Sequence, residues 1–264
     1  MLNVESILKS FTQPEDKLFI KKVLDQASLC FKNHVHTFTD FMDMHQYEQV
    51  MKLITEFPSD LSYEIFGGYT DAERKILGFT PFYLPLEKNH FPIQIVKIKN
   101  CSVTHHLLSH RDYLGAMIKS GIDRDKIGDI LVTNSEAIIF LDTKISDYIQ
   151  MNINKIGRCT VEMTSLSLEN LVIPSPKTKE IQTSVASLRV DALLSSGFSI
   201  SRSKAVGYIK GQKVFKNWIP VRSPSENVEI NDILTLRGKG RIKLVNIGNK
   251  TRKNRISITI HRYV

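Results

Sequence analysis

Apolar residues recur at helical spacing from Pro14 onward. Ile20, Val23, Leu24, Ala27 and Phe31 fall on one face of a helix. A second helical stretch, capped by Asp40, carries Val50, Leu53, Ile54 and Phe57 and stops at Pro58. A short extended piece, Tyr63 to Phe66, leads into Gly67-Gly68-Tyr69. Thr70-Asp71-Ala72-Glu73 then has the form of a capping box, so a helix carrying Arg74 and Lys75 is expected after the Gly-Gly turn. From residue 89 the pattern alternates between the two periods. Ile93 to Ile98 is β-branched and reads as a strand. Ser109-His110-Arg111-Asp112 opens a helix with Leu114, Met117 and Ile118 on one face, closed by Gly121. Asp129 to Val132 and Glu136 to Leu141 read as strands joined by Thr133-Asn134-Ser135. Asp142 caps a helix with Ile145, Ile149, Ile153 and Ile156 on its stripe, and Cys159 to Met163 is a last strand. The order is βαββαβ, a ferredoxin-like arrangement.

Pro174-Ser175-Pro176 marks a break, and 174–182 reads as a linker. Beyond it come two short helices, one opening at Ser187 to Asp191 and ending at Gly197, the other running from Arg202 to Lys210 and stopped by Gly211. Five strands follow, at 213–215, 218–221, 233–236, 242–245 and 256–260, with Asn217 in the first turn. The fold class is therefore α+β and multidomain: a mixed N-terminal domain over 1–88, a ferredoxin-like middle domain over 89–173, and a helix pair with a small sheet over 183–264.

Composition changes this picture little, and charge changes it a great deal. The 264 residues are 42% hydrophobic and 24% charged, ordinary for a globular chain. Cys30, Cys101 and Cys159 lie far apart, which excludes a disulfide scaffold and a CxxC zinc site and fits a reducing compartment. No apolar run approaches the ~20 residues that span a bilayer, and the first residues lack the basic and apolar regions of a secretory signal. A soluble, cytoplasmic protein with no membrane partner is expected. The net charge is +9. Residues 183–264 hold 16 Lys/Arg and 4 Asp/Glu, net +12, which leaves −3 on residues 1–182. A basic module on a near-neutral body points to a polyanion partner.

Arg202 and Lys204 lie in the first turn of the second C-terminal helix. Cations there oppose the helix dipole at a cost of about 0.3–1 kcal/mol each, so helix stability does not account for them. A phosphate at that N-terminus would meet free N–H groups and two cations; a solvated surface is the alternative. Arg237 to Arg241 forms a glycine-loosened basic loop, and Lys250 to Arg255 a basic hairpin tip.

Catalytic constellations are weak. His105, His106, His110 and Asp112 are close in sequence, but the capping box accounts for Ser109 and Asp112, and no Cys or carboxylate cluster completes a metal site. Gly67-Gly68 precedes an expected helix without GxxxxGK[ST] or GxGxxG. No catalytic residue, metal or cofactor is expected.

Four C-terminal motifs occur in order: Leu188-Arg189-Val190-Asp191, Ser201 to Ala205, Ile209 to Val214, and Val228 to Ile233 with Asp232. They resemble the RNA-binding domain named after the fourth small-subunit ribosomal protein, here the S-four domain, with its αL-type helix pair and small sheet. Departures are Val190 for Leu, Asn231 for Gly, and Gly207 inside the second helix. Phe66 to Arg74, Leu108 to Gly115 and Lys126 to Ile130 resemble signatures of the YlmH family, so the likeness runs through nearly the whole chain. The resemblance implies a bacterial, cytoplasmic, non-catalytic RNA-binding protein of ribosome quality control, with ribosomal RNA, the large ribosomal subunit and tRNA as partners, and a link to cell division. A monomer is expected. From the charge pattern and the resemblance together, Arg189, Arg202, Ser203, Lys204, Lys210, Lys213, Lys239 and Arg241 are expected to contact RNA, with Arg74, Arg252 and Lys253 as a secondary set. The alternatives are an RNA-modifying enzyme with an appended S-four domain, or a division adaptor with secondary RNA binding. The middle domain matches RNA-recognition domains in element order, but its third strand, Glu136 to Phe140, has one aromatic and no basic residue. That predicts the fold without the usual base-stacking surface.

Overall fold

The computed structural model describes residues 4–102, 107–133, 136–174 and 178–263. The chain divides into two units, Met1–Pro174 and Ser175–Val264.

The first unit begins with α1 (Val4–Lys9) and α2 (Pro14–Asn33), the latter started by Pro14 in its first turn. Ile20, Val23, Leu24 and Ala27 are buried along α2 as the spacing predicts, with Cys30 completing the stripe. Phe31, expected on that stripe, is instead 49% exposed. After β1 (Thr37–Phe38), α3 (Met44–Met51) is capped by Asp43 rather than Asp40. The Asp43 carboxylate accepts from the Gln46 N–H at 2.9 Å, and the Gln46 side chain accepts from the Asp43 N–H in return. Asp40 pairs with Lys126 instead. β2 (Leu61–Phe66) and β3 (Ile76–Pro81) form an antiparallel pair, with β1 on the other edge of β3.

No helix follows Gly67-Gly68. Residues 70–74 form a loop, because the Glu73 and Arg74 N–H groups donate to the Asp129 carboxylate at 2.7 and 3.0 Å rather than to a helical turn. The apolar run from Ile76, fully buried through Pro81, then enters the sheet.

The middle of the chain has the expected order: β4 (Ile93–Asn100), α4 (His110–Lys119), β5 (Ile127–Val132), β6 (Glu136–Asp142), α5 (Thr143–Asn152), the short β7 (Lys155–Ile156) and β8 (Cys159–Leu166). The strands run β5-β6-β4-β8-β7, all neighbours antiparallel, which is the ferredoxin-like order with a hairpin added at β7. Ser109 and Asp112 make the expected capping box on α4, and Asp142 caps α5 through the Lys144 N–H. One face of this sheet packs on α4 and α5 through Val96, Tyr113, Met117, Ile139 and Ile149. The other face packs on the first eighty residues. Ile95, Ile138 and Phe140 share a core with Phe41, Phe66, Ile76 and Phe91. The segments 1–88 and 89–173 are thus joined by a common apolar layer.

In the second unit, residues 178–182 of the expected linker are strand. β9 (Thr178–Val185) pairs along its whole length with β14 (Ile256–Tyr263). Residues 175–177, the remaining part of the Pro/Ser stretch, lie outside the described residues. α6 (Val190–Phe198) and α7 (Arg202–Lys210) follow, then β10 (Val214–Lys216), β11 (Ile219–Pro220), β12 (Ile233–Leu236) and β13 (Gly240–Lys250). The sheet order is β11-β10-β12-β13-β14-β9. Leu194, Phe198, Ala205 and Ile209 from the helices bury against Leu234, Leu236, Ile242, Leu244, Ile258 and Ile260. Asn217 and Trp218, both at positive φ, make the two-residue β10–β11 turn. Asn231 stands at φ 75, where its glycine-like position in the motif is explained: Asn tolerates the left-handed region better than most residues.

Candidate nucleic-acid interface

Ser201 caps α7. Its hydroxyl accepts from the Lys204 N–H at 3.2 Å and lies 2.9 Å from the Ser203 hydroxyl. Arg202, Ser203 and Lys204 are all exposed on this first turn.

Asp191 organises the cations beside it. Its carboxylate sits in the first turn of α6, where the helix dipole favours negative charge, and its side chain is only 9% exposed. Arg189 Nε donates to Asp191 Oδ1 at 3.2 Å, and Arg202 Nη2 lies 3.6 Å from the same oxygen. One buried carboxylate thus holds two guanidiniums that are 42% and 50% exposed. Each guanidinium carries five N–H donors, so the outward ones stay available to an incoming phosphate. The spacing of Arg189 and Asp191 was legible in the motif; that Arg202 joins them was not.

Arg255 lies in the expected basic hairpin tip but not among the expected RNA contacts. It lines the same shallow cleft as Arg202, about 100 Å³ in volume, with Ala192 and Ser195. It is anchored by donating from Nε to the Ser184 hydroxyl at 3.0 Å and from Nη2 to the Ser184 carbonyl. Arg252 and Lys253 occupy the turn just before it. The signal in the sequence was the basic hairpin tip, but only pairing of β9 with β14 brings Arg255 to the helix pair.

Lys213, Lys239 and Arg241 collect at the other end of the sheet. The Arg237 N–H donates to the Lys213 carbonyl at 2.9 Å, which ties the start of β10 to the β12–β13 turn. Gly238 and Gly240, both at positive φ, shape that turn. Arg237 stacks over Phe215 at 4.9 Å and Arg241 over Tyr263 at 4.8 Å, contacts that hold guanidiniums flat on aromatic faces. Lys210 stands at the C-terminal end of α7, which leads to Lys213. β13 separates Arg241 from the Lys250 turn by its length, about 30 Å at ~3.3 Å per residue. The two basic loops are therefore opposite ends of one sheet and not one patch.

Few of these charges are neutralised internally. Three of the four carboxylates after residue 182 are engaged: Asp191 serves Arg189 and Arg202, Glu226 pairs with Lys216 at 3.0 Å, and Asp232 accepts from Asn217 and from the Glu229 N–H. Among the described residues, the ammonium groups of Lys204, Lys210, Lys213, Lys239 and Lys253 and the guanidinium of Arg252 have no ion-pair partner. Gly207 is exposed in mid-helix, and a Cβ there would meet nothing within 4 Å.

Arg74 belongs to the fold. Its Nε donates to the Ile127 carbonyl at 2.9 Å and its Nη2 to the carbonyls of Phe41 at 2.8 Å and Arg124 at 3.3 Å. Asp129 accepts from the Tyr69 hydroxyl at 2.8 Å and from the Glu73 and Arg74 N–H groups. Burial pushes the Arg74 guanidinium below its ordinary range, against the pull of Asp43 and Asp129. Burial and the charge of Arg74 push the neighbouring Arg124 down to about 10. The Nε and Nη2 groups of Arg74, a residue expected in the secondary RNA-contact set, are directed at the protein's own carbonyls and act as a strut of the fold. The two signature segments around Tyr69 and Asp129 meet here.

The sheet face on which RNA-recognition domains stack bases is covered. Tyr69 stacks on Phe140 with ring centroids 5.2 Å apart, and a Cβ on Gly68 would lie 2.3 Å from the Phe140 ring. His105 and His106 lie outside the described residues. His110 begins α4, and burial lowers its imidazole pKa, with Arg124 adding to the effect. Among the described residues no group of three or more His, Cys, Asp and Glu could hold a metal ion. No described helix is long and apolar enough to cross a membrane.

Together these features define an α+β protein of several domains whose basic C-terminal module is a helix pair on a small sheet. Comparison with known proteins gives the family. A model described as "YlmH, N-terminal" matches residues 15–84, "Putative RNA-binding domain in YlmH" matches 86–170, and "S4 domain" matches 188–234. The chain belongs to the YlmH family. It is 29% identical over 248 residues to the ribosome-associated protein quality control protein P2 of Bacillus subtilis (strain 168), covering 94% of this chain and 95% of that protein. Among solved structures it is similar to the cell division protein ylmH from Streptococcus pneumoniae, with a TM-score of 0.50 and 21% identity over 60% of this chain and 95% of that one. At that identity the likeness is one of fold.

Proposed function

We propose that this protein is a non-catalytic, cytoplasmic RNA-binding protein that acts on the ribosome as a monomer, binding large-subunit ribosomal RNA, peptidyl-tRNA or both in ribosome-associated quality control. The observation that carries the reading is the pair of half-exposed guanidiniums, Arg189 and Arg202, held by the buried Asp191 at the open first turn of α7. Such an arrangement pre-orients bidentate donors before a phosphate arrives. Ser203 and Lys204 extend that grip. Lys210, Lys213, Lys239 and Arg241 serve a second stretch of backbone from the far end of the sheet, and Arg252 and Lys253 continue the first beyond Arg255. The name of the Bacillus relative supports the ribosomal setting.

The test is co-sedimentation with large ribosomal subunits. The expected result is that wild type pellets with them, that binding falls steeply with salt in proportion to the phosphates neutralised, and that Arg202→Ala/Lys204→Ala stays folded but remains in the supernatant. A double variant that pellets like wild type overturns the helix-pair site. A modified nucleoside formed from transcript RNA, read by mass spectrometry, overturns the non-catalytic part.

A further inference from the structure

The sheet of the ferredoxin-like domain is buried on both faces: α4 and α5 cover one, and Tyr69, Phe66, Phe91 and Phe41 cover the other. Among the described residues, the surfaces of this domain left open to nucleic acid are its helices, its loops and the sheet edges. The helical surface carries an open groove of about 490 Å³ between α4 and the α5–β7 connection.

Arg111 and Lys119 approach it from α4 and Lys155 from β7, all three exposed. None of the three side chains has an ion-pair or hydrogen-bond partner among the described residues. The one carboxylate lining the groove, Asp112, is engaged by the Ser109 N–H at 2.8 Å and the Ser109 hydroxyl at 2.7 Å. The lining carries three cations against one carboxylate. Two glycines keep it open. Gly115 stands in the interior of α4, where glycine is a poor helix former, and a Cβ there would meet nothing within 4 Å. Gly157, at φ 59, turns β7 into β8, again with nothing within 4 Å of an added Cβ. No packing contact accounts for the glycine in α4, and the space above it is open. Asn154 adds a side-chain amide at the same edge.

We propose that this α4/β7 groove is a second RNA site, in which Arg111, Lys119 and Lys155 neutralise successive phosphates of an RNA backbone passing over Gly115. The proposal rests on the RNA-binding reading above but on separate residues in a separate unit.

The test is anisotropy of a fluorescein-labelled RNA hairpin with the full chain, titrated from about 50 to about 200 mM salt. Arg111→Ala/Lys119→Ala/Lys155→Ala weakens binding about tenfold and makes the log–log salt slope shallower by about two to three. Gly115→Glu places a carboxylate in the groove at an open helical position, so the protein keeps or raises its thermal midpoint and still loses affinity. The charge-matched control Lys17→Ala/Lys21→Ala/Lys32→Ala, exposed on α2, binds like wild type. If the control loses as much as the groove triple, the effect is bulk charge and the groove is overturned. If the groove variants bind like wild type while Arg202→Ala/Lys204→Ala loses affinity, the groove is overturned and the helix-pair reading stands. Wild type that shows no salt-dependent binding overturns both.

Discussion

Arg202 reaches back from the first turn of α7 to within 3.6 Å of the Asp191 carboxylate in the first turn of α6. The contact couples the two helices and aims a cation outward. Asp191→Ala leaves the Arg189 and Arg202 guanidiniums without their anchor. The expected loss of stability of the C-terminal unit is about 1–3 kcal/mol, read as a lower urea midpoint.

Arg74 tests the distinction between a strut and an RNA contact. Arg74→Met keeps an unbranched apolar stem and removes every donor, stranding the Phe41 carbonyl, while Arg124 Nη1 still donates to the Ile127 carbonyl. The first unit should lose about 2–4 kcal/mol, while RNA affinity measured well below the melting range stays at the wild-type value. A selective loss of affinity without a loss of stability would restore Arg74 to the interface.

Two glycines should respond with opposite signs. Gly68 has φ 98 and faces the Phe140 ring, so Gly68→Ala is strained in backbone and side chain and costs about 1–3 kcal/mol. Gly207 is helical and open, so Gly207→Ala stabilises by about 0.5–1 kcal/mol. Thermal unfolding of the two variants checks both.

His36 and His90 stack with ring centroids 4.9 Å apart. Burial, and then the charge of His90, lower the His36 pKa from 6.5. Below pH 6.5 the unfolded chain binds more protons than the folded one, so this contribution to stability is lost as pH falls. Urea midpoints at about pH 7.5 and about pH 5.5 should show a smaller drop for His36→Phe, which keeps the stack and removes the titration.

The two ends of the C-terminal sheet should act independently. They lie about 30 Å apart, well beyond the ~10 Å Debye length at 0.1 M salt. Lys239→Ala/Arg241→Ala and Arg252→Ala/Lys253→Ala should each weaken RNA binding, and their combination should give the sum of the two free-energy losses. Filter binding on the four proteins measures it.

By itself the sequence determined what local chemistry dictates. Pro14, Ser109 with Asp112, Ser201 and Gly211 mark helix ends through groups within a few residues, and the two hydrophobic periods separate strand from helix. It also determined the +12 charge of the C-terminal segment and the order of its motifs. Partners distant in sequence were decided by the tertiary structure. Thr70 to Glu73 has the form of a helix start, yet Asp129, 56 residues from Glu73, takes the N–H groups a helix would have used. Residues 178–182 read as linker because a strand's pairing depends on a partner eighty residues away in β14. Arg74 was legible as a cation, but not as one whose Nε and Nη2 donate to the protein's own carbonyls. Arg255 was legible as part of a basic tip, but not as a neighbour of Arg202. Hydrogen-bond donors and charges acquire their roles from whatever folding brings within about 3 Å, and that distance is not a property of sequence spacing.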